Sequence, residues 1–94
     1  MNYEIFLNSL NGALPSTTWS SGLQSIWWDA KGDWEKAHDI AQDMDTMIGC
    51  WLHAYLHRKE GDDFNAAYWY ARAGKPFPKF SLEKEQETII QFLL

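Results

Sequence analysis

At 94 residues the chain is long enough for one hydrophobic core and too short for two, and 46% hydrophobic with 16% aromatic residues exclude a disordered polypeptide. Thirteen acidic against eight basic residues leave a formal net charge of −5, which excludes the concentrated positive field that a phosphate backbone requires, so no nucleic-acid partner is expected. The lone Cys50 has no intramolecular disulfide partner, and the start Met1-Asn2-Tyr3-Glu4-Ile5-Phe6 has neither a basic leader nor a long apolar run; the expectation is a reducing, cytoplasmic setting without membrane insertion.

In chain order, Ile5, Phe6, Leu7 and Leu10 predict a short packing helix that stops at Asn11-Gly12. Ala13 to Thr18 reads as a loop, because Pro15 and the hydroxyl residues favour extended or capping conformations. From Ser20 or Ser21 to Lys31 the apolar positions Leu23, Ile26, Trp27 and Ala30 recur at helical spacing, and Gly32 ends the run. Asp33 is placed to cap a second long helix with a face of Trp34, Ala37, Ile40, Ala41 and Met44, running to about Asp45 or Thr46. A third spans Met47 to Glu60, and Gly61-Asp62 repeats the stop-and-cap signal before a helix from about Asp63 to Ala73. Gly74-Lys75-Pro76-Phe77-Pro78 must break that helix, and Ser81 caps a last one to about Leu93, whose acidic first turn suits a helix N-terminus. No stretch has a period of two. The predicted class is all-α, in one domain.

Lys31-Gly32-Asp33 followed by Ala37 recurs as Glu60-Gly61-Asp62 followed by Ala66, 29 residues later. Self-similarity at such a period marks stacked supersecondary units, here two antiparallel helical hairpins of about residues 20–46 and 47–78, with a short N-terminal helix before them and a packing helix of about 81–93 after. The second unit resembles a tetratricopeptide repeat: the small residue, later aromatic and final proline of that family fall on Ala66, Tyr70 and Pro78, with a further small residue at Ala73. It departs from the pattern in its first helix, where Trp-x2-Leu-Gly-x2-Tyr is replaced by Cys50, His53, Ala54 and His57. In the first unit, Ser25 and Trp28 fill the glycine and tyrosine places, and Ala41 replaces the later aromatic. The runs Trp27 to Trp34, Trp51 to Asp62 and Asn65 to Tyr70 also resemble a family of short, largely uncharacterised bacterial and fungal proteins, over most of residues 20–90. That resemblance implies a fold and no activity.

Three constellations can carry chemistry. Cys50, His53, His57 and Glu60 are spaced by three, four and three, so they share one helix face. One straight helix cannot wrap four ligands around one ion. His53 and His57 with a neighbour from elsewhere, such as His38 or an Asp, are therefore the candidate zinc ligands; the competing reading makes both histidines packing residues in the repeat register, with His57, Arg58 and Lys59 complementing the helix C-terminus. Secondly, the repeat alignment turns Ile26 and Asp29 with Trp51, Tyr55 and Arg58 toward an inner groove, where rings beside an Arg and an Asp grip a peptide or a small polar ligand. Equally, Trp51 and Tyr55 close a miniature core and Arg58 pairs with Asp29 or Asp62. Thirdly, Tyr68-Trp69-Tyr70 points in three directions; Tyr70 fits a packing position and Trp69 is a candidate contact residue.

Two functions from different classes follow. The first is a non-enzymatic helical-repeat module that binds a protein, a peptide or a small polar ligand through Asp29, Trp51, Tyr55, Arg58 and Trp69, without catalytic residues or cofactor. The alternative is a small metal- or ligand-binding protein or enzyme that uses His53 and His57, with zinc as the metal. The apolar end Ile89 to Leu94 is either a homodimer contact or part of the monomer core.

Overall fold

The computed structural model describes residues 1–94 as six α-helices with no strand: α1 (Tyr3–Ser9), α2 (Ser21–Ala30), α3 (Trp34–Gln42), α4 (Met47–Lys59), α5 (Asp63–Ala73) and α6 (Leu82–Leu93). Side-chain caps start every helix. The oxygens of Asn2, Ser20, Asp33, Thr46, Asp62 and Ser81 each accept the backbone N–H three residues on, satisfying one of the free donors at a helix start.

The two repeated turns are superimposable in their hydrogen bonding. Gly32 (φ 91°) and Gly61 (φ 89°) lie in the left-handed region that favours glycine. Asp33 N–H donates to Trp28 O at 2.9 Å and Asp62 N–H to His57 O at 2.9 Å, after which each aspartate caps the next helix. The small residues that let paired helices approach are equivalent too. Ser25 and Ala37 are fully buried between α2 and α3, with Ser25 Oγ donating to Ala37 O at 2.8 Å, and Ala54 and Ala66 are fully buried at the matching positions of α4 and α5.

Helix α4 is the hub. It packs against α2, α3, α5 and α6, and its six successive residues Trp51 to Leu56 are all buried. A helix packed on all sides has little solvent face to keep polar, which is why its amphipathic signal is weak and its position central. Around it Trp27, Tyr70, Phe6, Ile26, Ile89 and Ile90 complete one core. Each large apolar side chain buried there contributes roughly 1.5–3 kcal/mol relative to exposure. Helix α1 and the turn after it are held along α2: Phe6 stacks on Trp19 (5.8 Å between centroids), Trp27 Nε1–H donates to Ser9 Oγ at 3.1 Å, and Lys31 donates to Leu10 O and Gly12 O. The Cα radius of gyration, 12.3 Å, is that of a close-packed domain of this length, about 12 Å. No helix is long and apolar enough to cross a membrane.

One boundary differs from expectation. Helix α3 ends at Gln42, not at Asp45 or Thr46, because Thr46 must be extended (φ −144°) to cap α4. The tight connection then presses Gly49 against Met44: a Cβ there would lie 2.5 Å from the Met44 carbonyl oxygen.

Candidate functional site

The histidines of α3 and α4 converge. His53 and His57, one turn apart on α4, meet His38 from α3, and one ligand-capable ring nitrogen from each lies within 4.8 Å of the other two. His38 Nε2 and His53 Nε2 are 3.0 Å apart, so one donates to the other, and the His53 and His57 rings stack at 4.8 Å. His57 Nδ1 is 2.8 Å from Glu60 Oε1; since a carboxylate only accepts, the imidazole donates there. In the neutral ring this leaves the His57 Nε2 lone pair free. A carboxylate on one ring nitrogen, fixing the tautomer so that the other can coordinate, is the usual support of a histidine metal ligand.

Two indoles wall the cluster. Trp34, four residues before His38 on α3, stacks on that ring at 4.7 Å and is fixed by donating Nε1–H to Leu56 O at 2.8 Å. Trp69 of α5 stacks on His53 at 4.0 Å with the rings 17° from parallel. These walls desolvate the imidazoles. Burial, reinforced by His38 and His57, pushes the His53 pKa down to about 4. Burial and the neighbouring His57 also lower His38, outweighing the opposite pull of Asp39 and Glu60. The result is imidazole held in the unprotonated form that a metal requires. Cys50, on the same predicted helix face, is outside this group.

The residues expected at an inner groove lie elsewhere and are tied together differently. Asp29, 3% exposed, accepts from Tyr55 Oη at 2.6 Å and Gln86 Nε2 at 2.9 Å on one oxygen and from Lys59 Nζ at 2.8 Å on the other. Burial, then the charge of Asp29, raises the Tyr55 pKa and keeps the phenol a donor. Arg58 pairs with neither Asp29 nor Asp62. Its Nη1 donates to Glu85 Oε1 at 2.8 Å and its Nη2 to Phe80 O. Glu85, fully buried, also accepts from Tyr70 Oη at 2.6 Å and Trp51 Nε1 at 3.2 Å. Burial, with Glu85 beside it, raises the Tyr70 pKa in turn. These two networks pin α6 onto α2, α4 and α5. Trp51, Tyr55 and Ile26 are buried, and Trp69 is half-buried against His53.

Sequence reasoning missed Glu85, Lys59 and Gln86 as network partners and Trp34 as a wall of the cluster; it named Trp69 as a contact residue but not against His53. For Glu85 a signal was present: Leu82, Glu85 and Ile89 fall at helical spacing on the apolar side of α6, so this acid had to enter the core with partners. Trp34 is likewise one turn before His38. The pairing of Trp69 with His53 carries no such sign, because it depends on how α5 crosses α4.

No protein-family model, curated protein or solved structure matches the chain.

Proposed function

We propose that the protein binds a divalent transition metal, zinc in the first instance, through His38, His53 and His57. The observation that carries this reading is the convergence of three imidazoles, two of them desolvated and one held by Glu60. Zn–N bonds of about 2.0–2.1 Å in tetrahedral geometry place ligand nitrogens about 3.3 Å apart. The 3.0 Å pair already has nearly that spacing, and a pair at the 4.8 Å limit would have to close by ~1.5 Å. Three nitrogen ligands leave a fourth position for water or an exogenous donor. Nitrogen ligands also suit Cu²⁺ and Ni²⁺, so affinity alone will not rank the metals as the cell does.

The scaffold in this reading is a tetratricopeptide-like pair of hairpins, α2–α3 and α4–α5. It is supported by the equivalent Gly-Asp turns and by the equivalent buried pairs Ser25/Ala37 and Ala54/Ala66. A peptide-binding role through Asp29, Trp51, Tyr55 and Arg58 has less support. Their polar atoms are committed to hydrogen bonds inside the fold, and a partner would have to break those first.

The test is metal analysis of protein purified without a histidine tag, followed by thermal unfolding with and without chelator. One equivalent of metal is expected, with stabilisation of about 2.7 kcal/mol when free zinc is 100-fold above its Kd. The variants His38→Gln, His53→Gln and His57→Gln are each expected to lose that gain. Metal-free protein whose melting temperature ignores both zinc and chelator would refute the proposal.

A further inference from the structure

A second concave site lies apart from the imidazoles and shares no residue with them. Beyond α5, two prolines hold Lys75 to Phe80 in an extended strap, anchored by Lys75 N–H to Tyr70 O at 3.0 Å and by Arg58 to Phe80 O. Between this strap, Trp51, Tyr70 and the Glu85–Thr88 side of α6 opens a groove of about 560 Å³, within the range of small-molecule sites. Phe77 packs edge-on against Tyr70 at 5.2 Å, so the apolar wall is fixed before anything binds.

The charges of the groove have one sign toward solvent. Glu85 is fully buried, and both its oxygens are occupied by Arg58, Tyr70 and Trp51. The other charged lining residues are Lys75 and Lys79, and neither is paired with a carboxylate, although the chain carries an excess of acids. The Lys75 ammonium instead sits 4.0 Å from the centre of the Trp51 ring. A cation left over an indole face, beside apolar rings and with no acceptor offered by the protein, is complementary to an anion with an apolar body.

We propose that this groove binds a small organic carboxylate with an aromatic or short alkyl body, its carboxylate on Lys75 and Lys79 and its body against Trp51, Phe77 and Phe80. The reading is independent of the metal site. Isothermal titration in the presence of chelator with 2-naphthylacetate, 2-naphthylethanol and 2-naphthylethylamine separates charge from hydrophobicity. The acid is expected to bind at least about tenfold more tightly than the alcohol, and the amine more weakly than either. In the double variant Lys75→Gln/Lys79→Gln, the acid is expected to fall to the affinity of the alcohol while the alcohol is unchanged. Neither lysine has an ion-pair partner and the double variant loses only the cation–π contact of Lys75 on Trp51, so unaltered circular dichroism, with the unchanged alcohol affinity, serves as the folding control. Equal binding of the three probes, no saturable binding of any, or an acid affinity unchanged in the double variant would overturn the proposal.

Discussion

Helix α4 serves two polar regions built on opposite principles. On its α6 side, Glu85 and Asp29 are buried acids, and each oxygen meets donors: indole, phenol, guanidinium, amide and ammonium. On its α3 side, three imidazoles crowd together, with Glu60 and Asp62 beside His57 at the edge. The first arrangement is complete within the chain and can serve the fold. In the second, the rings hydrogen-bond one another and Glu60 as neutral imidazoles, two of them with suppressed protonation, so the ligand that suits them is a cation supplied from outside. The difference teaches that burial of polar groups does not itself mark a binding site; what marks one here is a cluster of metal-ligand side chains kept unprotonated.

That contrast can be broken most forcefully at Glu85. Glu85→Ala strands the Arg58 guanidinium, the Tyr70 hydroxyl and the Trp51 N–H, and is expected to cost about 3–5 kcal/mol in denaturant unfolding, a large share of a small domain's stability. A loss below about 1 kcal/mol would show that the acid network does not hold α6. Tyr55→Phe removes one donor from Asp29 and leaves Lys59 and Gln86 in place, so a smaller loss of about 1–3 kcal/mol is expected, with zinc binding intact.

The imidazole side answers to pH in the opposite sense from a histidine salt bridge, which raises the imidazole pKa and loses stability as pH rises. His53 has a folded pKa of about 4, below its ordinary 6.5, so between those values the unfolded chain binds more protons than the folded one. Metal-free protein is therefore expected to lose stability as pH falls from about 6.5 toward about 4, and His38 adds to the trend because its shift has the same direction. Urea midpoints measured across that window check it. His53→Gln should flatten the dependence, and an equally steep profile in that variant would remove His53 from the account. At the other extreme, Phe64 is 87% exposed and belongs to neither region; Phe64→Ser is expected to change stability by no more than about 0.5 kcal/mol.

Much of the helical framework was legible because it is local. Ser20, Asp33, Asp62 and Ser81 announce helix starts by residue type, and Gly32, Gly61 and Gly74 announce ends that require positive φ. The end of α3 was less so, since it depends on Thr46 capping the following helix and on Gly49 clearing Met44. At the site, spacing put His53 and His57 on one face, whereas the choice among His38, Cys50 and the acids as their neighbour is a matter of how α3 packs on α4. Arg58 shows the same limit. Its partner is Glu85, 27 residues away on a helix whose docking no local pattern encodes.

The central claim, that the imidazole cluster is completed by a metal, is tested most directly by zinc K-edge X-ray absorption on tag-free protein loaded with one equivalent of zinc. The expected spectrum has three nitrogen scatterers at about 2.0–2.1 Å with imidazole outer-shell features, plus one further light ligand, and the imidazole features decline in His53→Gln. An oxygen-only shell, or a spectrum identical in that variant, would contradict the claim.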